Sequence, residues 1–306
     1  MRGWWRELGD LVLPGECGGC GAPRAVLCET CRVALGGAGA YRVRPDPEPP
    51  GLPEVHAAAR YADEVRAALL AHKERGALAL AAPLGAALAG AVRAGLRSVP
   101  VGAGPARLAG AAGRAGCRAP VLLVPVPSGR RTVRARGHDP ARRIALAAAS
   151  ELRRRRVAAR VVAVLEQRRA VADQSGLNLR QRVENLAGAL AVAPGAAGLL
   201  CRGPVVLVDD LMTTGASLAE AARAVRAVRA GPAAGPVPNA AGIWSVYGGE
   251  TWEGREEQNV GSRGERTDRR SGRRENARLN GVCRGVDVVC AAVVAASPAS
   301  FEINRN

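Results

Sequence analysis

The stretch Val205 to Ser217, VVLVDDLMTTGAS, restricts the fold of this chain more than any other segment. Val205, Val206, Leu207 and Val208 form an unbroken apolar run, the pattern of a strand covered on both faces in a parallel sheet. Asp209 and Asp210 follow at the carboxyl edge of that strand, where open α/β sheets bind their ligands. Two adjacent carboxylates repel each other unless they accept hydrogen bonds from hydroxyls or lie near a cation. Thr213, Thr214, Gly215, Ala216 and Ser217 then make a small-residue turn into LAEAARAVRAV, where Leu218, Ala221, Ala222, Val225 and Val228 recur at helical spacing. The N–H groups and dipole at such a helix start form a seat for an anion, and Gly215 lets the backbone approach it closely. The order suits a ribose bearing a phosphate, with the diol and Mg2+ on the acids and the phosphate on the turn. The plainer alternative is an ordinary strand, turn and capped helix with solvated acids. The chain has no GxxxxGK[ST] and no GxGxxG set between a strand and a helix.

Near the amino terminus, Cys17-Gly-Gly-Cys20 and Cys28-Glu-Thr-Cys31 are two C-x-x-C knuckles separated by seven residues. The surrounding segment is too polar and Gly-rich to fold by core burial. Four thiolates at that spacing can close a tetrahedral Zn2+ site whose binding energy folds the loop, a structural site closed to substrate. Disulfides are the rival reading, less suited to a chain with no export signal.

Charge and composition narrow the classes of partner. The net charge of +17 favours polyanions: nucleic acid, a membrane surface or phosphorylated metabolites. With only 3% aromatic residues there are few platforms for stacking bases, which weakens a single-strand-binding reading. The most apolar window, Ala77 to Leu96, is interrupted by Pro83, Gly85, Gly90 and Arg93, so no transmembrane helix is expected. Glu7 and Asp10 break what would be a signal peptide, and a cytoplasmic protein is expected. Trp4, Trp5, Leu8 and Leu11 fit one face of a short docking helix.

Three further segments carry chemistry. Tyr61 to Gly76, YADEVRAALLAHKERG, is an amphipathic helix with Val65, Ala68, Leu69 and His72 on or near one face. Lys73 at its end is the sole lysine of the chain, either a compact ammonium placed for phosphate or an accident of composition. Val121 to Pro127, VLLVPVP, is a second buried strand ending in a rigid turn, followed by Arg130, Arg131, Arg134, Arg136, Arg142 and Arg143 with Gly137 among them. Guanidinium forks match phosphate oxygens, so this loop either closes over pyrophosphate or is a solvated basic surface. Residues 231–281 mix opposite charges with almost no apolar periodicity and read as a disordered insertion, with Trp244, Tyr247 and Trp252 as a candidate partner motif or part of a passive linker. The apolar run GVDVVCAAVVAAS follows as a last strand.

Taken in order, the two-knuckle cysteine head, Y-x-x-x-V-R-x-x-L-x-x-x-K-x-x-G, V-P-V-P, R-x-R-G, Q-x-x-L-x-x-x-x-R-x-x-N and V-D-D-x-x-T-T-G-x-S resemble the ComF/GntX phosphoribosyltransferase-like proteins. The resemblance covers about residues 8–230 and resumes near 286–299. It implies an α/β fold of the type I phosphoribosyltransferase class, a parallel sheet flanked by helices, with a small amino-terminal four-cysteine zinc-binding module. It implies that Asp209, Asp210, Thr213, Thr214, Gly215, Ala216 and Ser217 bind phosphoribosyl pyrophosphate (PRPP) with Mg2+. Lys73, Pro125, Val126, Pro127, Arg134 and Arg136 would hold the pyrophosphate, and Cys17, Cys20, Cys28 and Cys31 the zinc. The family is associated with DNA uptake in competent bacteria, which adds single- or double-stranded DNA and competence machinery as expected partners.

The expected activity is phosphoribosyl transfer to an unidentified acceptor; the alternatives are a PRPP or nucleotide sensor and a DNA-binding accessory of uptake machinery. One departure stands out. After Arg136-Gly137 the family has an aromatic residue, Asn and Gln, whereas this chain has His138, Asp139 and Pro140. His138 reads either as a proton shuttle or as an exposed loop residue. The expected layout is an amino-terminal helix and zinc module over 1–40, a linker over 41–56 and a phosphoribosyltransferase-like domain over 57–230. The insertion over 231–281 and a final strand and tail over 282–306 complete it.

Overall fold

The structure, a computed structural model, describes residues 15–99, 119–169, 179–228, 286, 288–298 and 300. The expected amino-terminal docking helix and the insertion over 231–281, with its aromatic residues, lie outside them. In chain order the described elements are α1 (Glu29–Gly36), β1 (Tyr41–Val43), β2 (Val55–Arg60), α2 (Asp63–Glu74), a 3-10 turn (Leu78–Leu80), α3 (Ala81–Ser98) and β3 (Val121–Pro125). There follow α4 (Arg130–Arg136), α5 (Pro140–Arg154), β4 (Ala159–Val161), β5 (Leu165–Gln167), α6 (Leu179–Leu186), β6 (Leu190–Val192), α7 (Ala197–Leu200), β7 (Val205–Met212), α8 (Ala216–Arg226) and β8 (Val288–Ala296).

Six strands make one sheet in the order β1-β2-β8-β7-β3-β4, and β5 and β6 pair separately as an antiparallel hairpin. Every pairing from β2 to β4 is parallel; only β1 runs against its neighbour. This is the α/β class expected, with the four-cysteine cluster beside it. The apolar runs read as buried strands are buried: β3 along its full length, Val205 to Val208 of β7, and β8 from Cys290 to Ala296. The segment expected as a linker over 41–56 instead carries β1 and the first two residues of β2. Its Pro-rich centre, RPDPEPPGLP, masks two flanking stretches that pair by backbone hydrogen bonds.

Alternation along the strands separates two packing layers. Val121, Leu123, Val206 and Val208 join one cluster with Leu84, Leu88 and Val92 of α3 and Ile144, Ala148 and Leu152 of α5. Their alternating neighbours Leu122, Val124, Val205 and Leu207 are equally buried but lie outside that cluster. Helix α8 packs against β7 and β8 and also touches the β5–β6 hairpin and α6.

Leu78–Ser98 is the one helical span among the described residues that is long and apolar enough to cross a membrane. Gly85, read as an interruption, is a close-packing point instead, and so is Gly95. A Cβ at Gly85 would meet the Ala148 backbone nitrogen of α5 at 2.8 Å, and one at Gly95 would meet Cys290 Sγ of β8 at 2.7 Å. The helix tolerates these residues because close packing onto α5 and the sheet repays their backbone entropy.

Candidate functional site

Strand order reverses between β3 and β7: from β3 the chain proceeds to β4 on one side, while β7 and β8 lie on the other. Open α/β sheets bind ligands at the carboxyl end of such a switch point. There β3 ends in Pro125, paired with Val208, and Val126 N–H donates to Val208 O at 2.9 Å. The turn through Val126 and Pro127 is thereby fixed one residue short of Asp209.

Asp209 and Asp210 stand at this edge within the last half of β7. Asp210 N–H donates to Asp209 Oδ1 at 2.8 Å. Lys73, at the end of α2, places its Nζ 3.0 Å from Asp210 Oδ2. The cation that relieves the two acids is thus supplied by the protein, from 137 residues away. Burial and the neighbouring Asp210 charge push Asp209 well above the usual carboxylate range, and Lys73 opposes that shift. Burial would lower Lys73, but the attraction of Asp210 outweighs it and raises the ammonium above its ordinary value.

The α2 terminus is also locked to the loop after α4. Arg136 donates to Glu74 through Nε at 3.2 Å and Nη2 at 2.6 Å. His138 sets Nδ1 3.1 Å from Arg136 O and Nε2 3.3 Å from His72 O, and its ring meets the His72 ring edge-on at 5.7 Å between centroids. The residues after Arg136 form a helix junction: Gly137, at φ +73°, ends α4 in the left-handed region, and Asp139 caps α5 by accepting from Arg142 N at 3.1 Å. Pro140 fits the first turn of α5, where no intrahelical donor is required. Burial raises Asp139, and the charge of Asp210 adds to the effect. The G-x-D-P spacing, a helix stop beside a helix start, is the signal that would have located this junction from sequence.

The small-residue turn forms as expected. Gly215 has φ +75° and caps α8, whose first intrahelical bond runs from Ala219 N to Gly215 O. The N–H groups of Ser217 and Leu218 therefore have no partner within the helix, at the turn that follows β7. Thr214 Oγ1 accepts a long contact from Ala216 N at 3.5 Å. Leu52 and Pro45, from the loop joining β1 to β2, close over Gly215; a Cβ there would meet them at 3.0 and 3.3 Å.

Of the residues expected to bind pyrophosphate, the structure brings Lys73 and the Pro125-Val126-Pro127 turn to the acids. Arg136 is engaged by Glu74, and Arg134 is exposed on α4. A network not foreseen from sequence ties α8 to the β5–β6 hairpin. Buried Glu220 accepts from Leu190 N at 3.0 Å and from Arg223 Nε at 2.7 Å, and Arg223 Nη2 donates to Leu190 O at 2.9 Å. Its sequence signal is a glutamate on the apolar side of α8 with an arginine three residues on. Cavities of about 200 and 430 Å3 are lined by the β1–β2 loop and by the amino-terminal edge of β3 and β4, and neither includes the acid pair among its walls.

The cysteine module is a separate centre. The sulfurs of Cys17, Cys20, Cys28 and Cys31 all lie within 4.8 Å of one another, and Cys28 N–H donates to Cys17 Sγ at 3.2 Å. Zinc–sulfur bonds of about 2.3 Å in a tetrahedron place sulfurs about 3.8 Å apart, so the quartet fits a structural metal such as zinc. Gly19 is required by proximity, since a Cβ there would meet Cys31 Sγ at 2.7 Å. Burial works against Cys17 ionising, but the backbone N–H groups around it bring the thiol down to about 6. Among the described residues this is the one group of three or more His, Cys, Asp or Glu side chains spaced to hold a metal ion. No protein-family model matches the chain, and no curated protein matches it.

Proposed function

We propose that the chain is a ComF/GntX-type phosphoribosyltransferase-like protein that binds PRPP with Mg2+ and transfers its phosphoribosyl group to an acceptor. The observation that carries this reading is the meeting of Asp209 and Asp210, the Val126 turn, Lys73 and the mouth of α8 at one switch point of a parallel sheet. In this reading the acids accept from the ribose hydroxyls, and the N–H groups of the Thr213–Ser217 turn hold the 5-phosphate. Lys73 shares its remaining donors with the pyrophosphate, and Arg134 reaches it from α4. Mg2+ would travel with the diphosphate and supply charge neutralisation to it. The residues named position the sugar and favour the charge that builds on the departing pyrophosphate, which is how a site without a general base can act. A role in DNA uptake rests on the family resemblance.

Calorimetry with Mg2+ and PRPP, on the wild type and on Asp209→Ala/Asp210→Ala, tests the reading. Binding heat in the wild type that is lost in the variant supports it, and no binding by the wild type overturns it. Pyrophosphate release on adding candidate acceptors separates an enzyme from a sensor.

The second reading, a DNA-binding accessory, is favoured by the net charge of +17 and by the exposed run Arg153 to Arg156 at the end of α5. Such binding weakens steeply with salt and survives the double alanine substitution.

A further inference from the structure

His138 lies between two carbonyl oxygens, Arg136 O at 3.1 Å from Nδ1 and His72 O at 3.3 Å from Nε2. Carbonyl oxygens only accept. A neutral imidazole carries a single N–H and can serve one of them, whereas the imidazolium donates to both. Both carbonyls belong to the junction that presents Lys73: His72 directly precedes it, and Arg136 grips the next residue, Glu74. Three consecutive residues of α2 are thus held from outside the helix: His72 by His138, Lys73 by Asp210 and Glu74 by Arg136.

We infer that His138 is a positioning residue, whose imidazolium form donates to Arg136 O and His72 O together and thereby holds Lys73 against Asp210. Protonation closes the clamp. Loss of the proton leaves one carbonyl facing a ring lone pair and loosens the α2 terminus. The groups facing this junction are His72, Lys73 and Glu74 from α2, Arg136 at the end of α4, Asp139 and Arg143 at the start of α5, and Asp210 of β7. His72 is fully buried, its Nε2 has no partner, and burial lowers its affinity for a proton. A consequence for PRPP affinity rests on the function proposed above; the clamp itself does not.

Because Lys73 is the sole lysine, 15N-lysine labelling of the full chain gives a single ammonium signal that reports on this junction. Its hydrogen exchange with water is measured in the wild type, His138→Gln and His138→Asn at pH about 5.5 and about 8. At the lower pH, exchange is expected to be several-fold slower in the wild type than in either variant, and at the higher pH the three should converge. Equal rates in all three at the lower pH, or a wild-type advantage that persists unchanged at the higher pH, overturns the clamp. The ring signals of His56 and His72 verify that each variant is folded. Mg2+-PRPP calorimetry on the same samples is expected to show a wild-type advantage of roughly threefold at the lower pH that disappears at the higher, the scale of one hydrogen bond. If the wild type binds no PRPP at either pH, the proposed ligand falls, while the exchange rates still decide the clamp.

Discussion

Lys73 and Asp210 form an ion pair of 3.0 Å between the end of one helix and the carboxyl edge of a central strand. The Asp210 side chain is 9% exposed and that of Lys73 32%, so the carboxylate is the partner with more to lose if the pair is broken. Fully buried pairs cost about 3–5 kcal/mol to break from one side, and exposed pairs about 0–1. Lys73→Met is therefore expected to destabilise the fold by about 2 kcal/mol in chemical denaturation. Adding Asp210→Asn should recover part of that loss, because position 210 then carries no unpaired charge. Strictly additive single and double variants would show that the two groups do not interact.

Asp209 is expected to trade stability for function. Its folded-state proton affinity is raised by burial and by Asp210, so the favourable contribution of the protonated group is complete below the unfolded value of about 4. That contribution is lost as pH rises through the higher folded value, so that Asp209 costs stability at neutral pH. Asp209→Asn should stabilise the protein at pH about 7 by on the order of 1 kcal/mol and abolish PRPP binding. The gain should vanish near pH 4, where the carboxyl is protonated in both states. Thermal melts at the two pH values measure this, and a variant less stable at both contradicts it.

Gly85→Ala tests the contact between α3 and α5. The added methyl would meet the Ala148 backbone, which cannot rotate away, so a loss of about 1–3 kcal/mol is expected despite the better helix propensity of alanine. Gly90→Ala, where a Cβ meets nothing within 4 Å, should be neutral or slightly stabilising. Urea midpoints of the two variants give the comparison, and equal midpoints would place the helix contact elsewhere.

Metal removal should act on the head of the chain first. One equivalent of zinc per chain is expected by atomic emission. Chelation should lower the melting temperature, because the quartet shares its core with Leu80 and α2. Cys31→Ser, at a buried ligand, should cost more than Cys20→Ser, at an exposed one. A protein with no metal and full stability would return the module to its disulfide alternative.

Much of the architecture was legible because it rests on local pattern. Apolar runs marked β3, β7 and β8, helical spacing marked α2 and α8, and two C-x-x-C knuckles marked the four-cysteine cluster. Val65, Ala68, Leu69 and His72 all proved buried on α2, since side chains three and four residues apart share a helix face. The start of β2 and all of β1 were hidden, because prolines between them mimic a linker while β2 is held in the sheet by β8, a strand distant in sequence.

For the candidate site, sequence alone determined which residue types stand at the end of β7 and how the turn into α8 must bend, because strand burial and a left-handed glycine are properties of neighbouring residues. Tertiary structure alone decided which cation meets the acids. Lys73 is on Asp210, Arg136 is on Glu74, and His138 joins the two segments that carry them. Ion pairs between residues so far apart depend on how helices cross the sheet. No local pattern records that geometry.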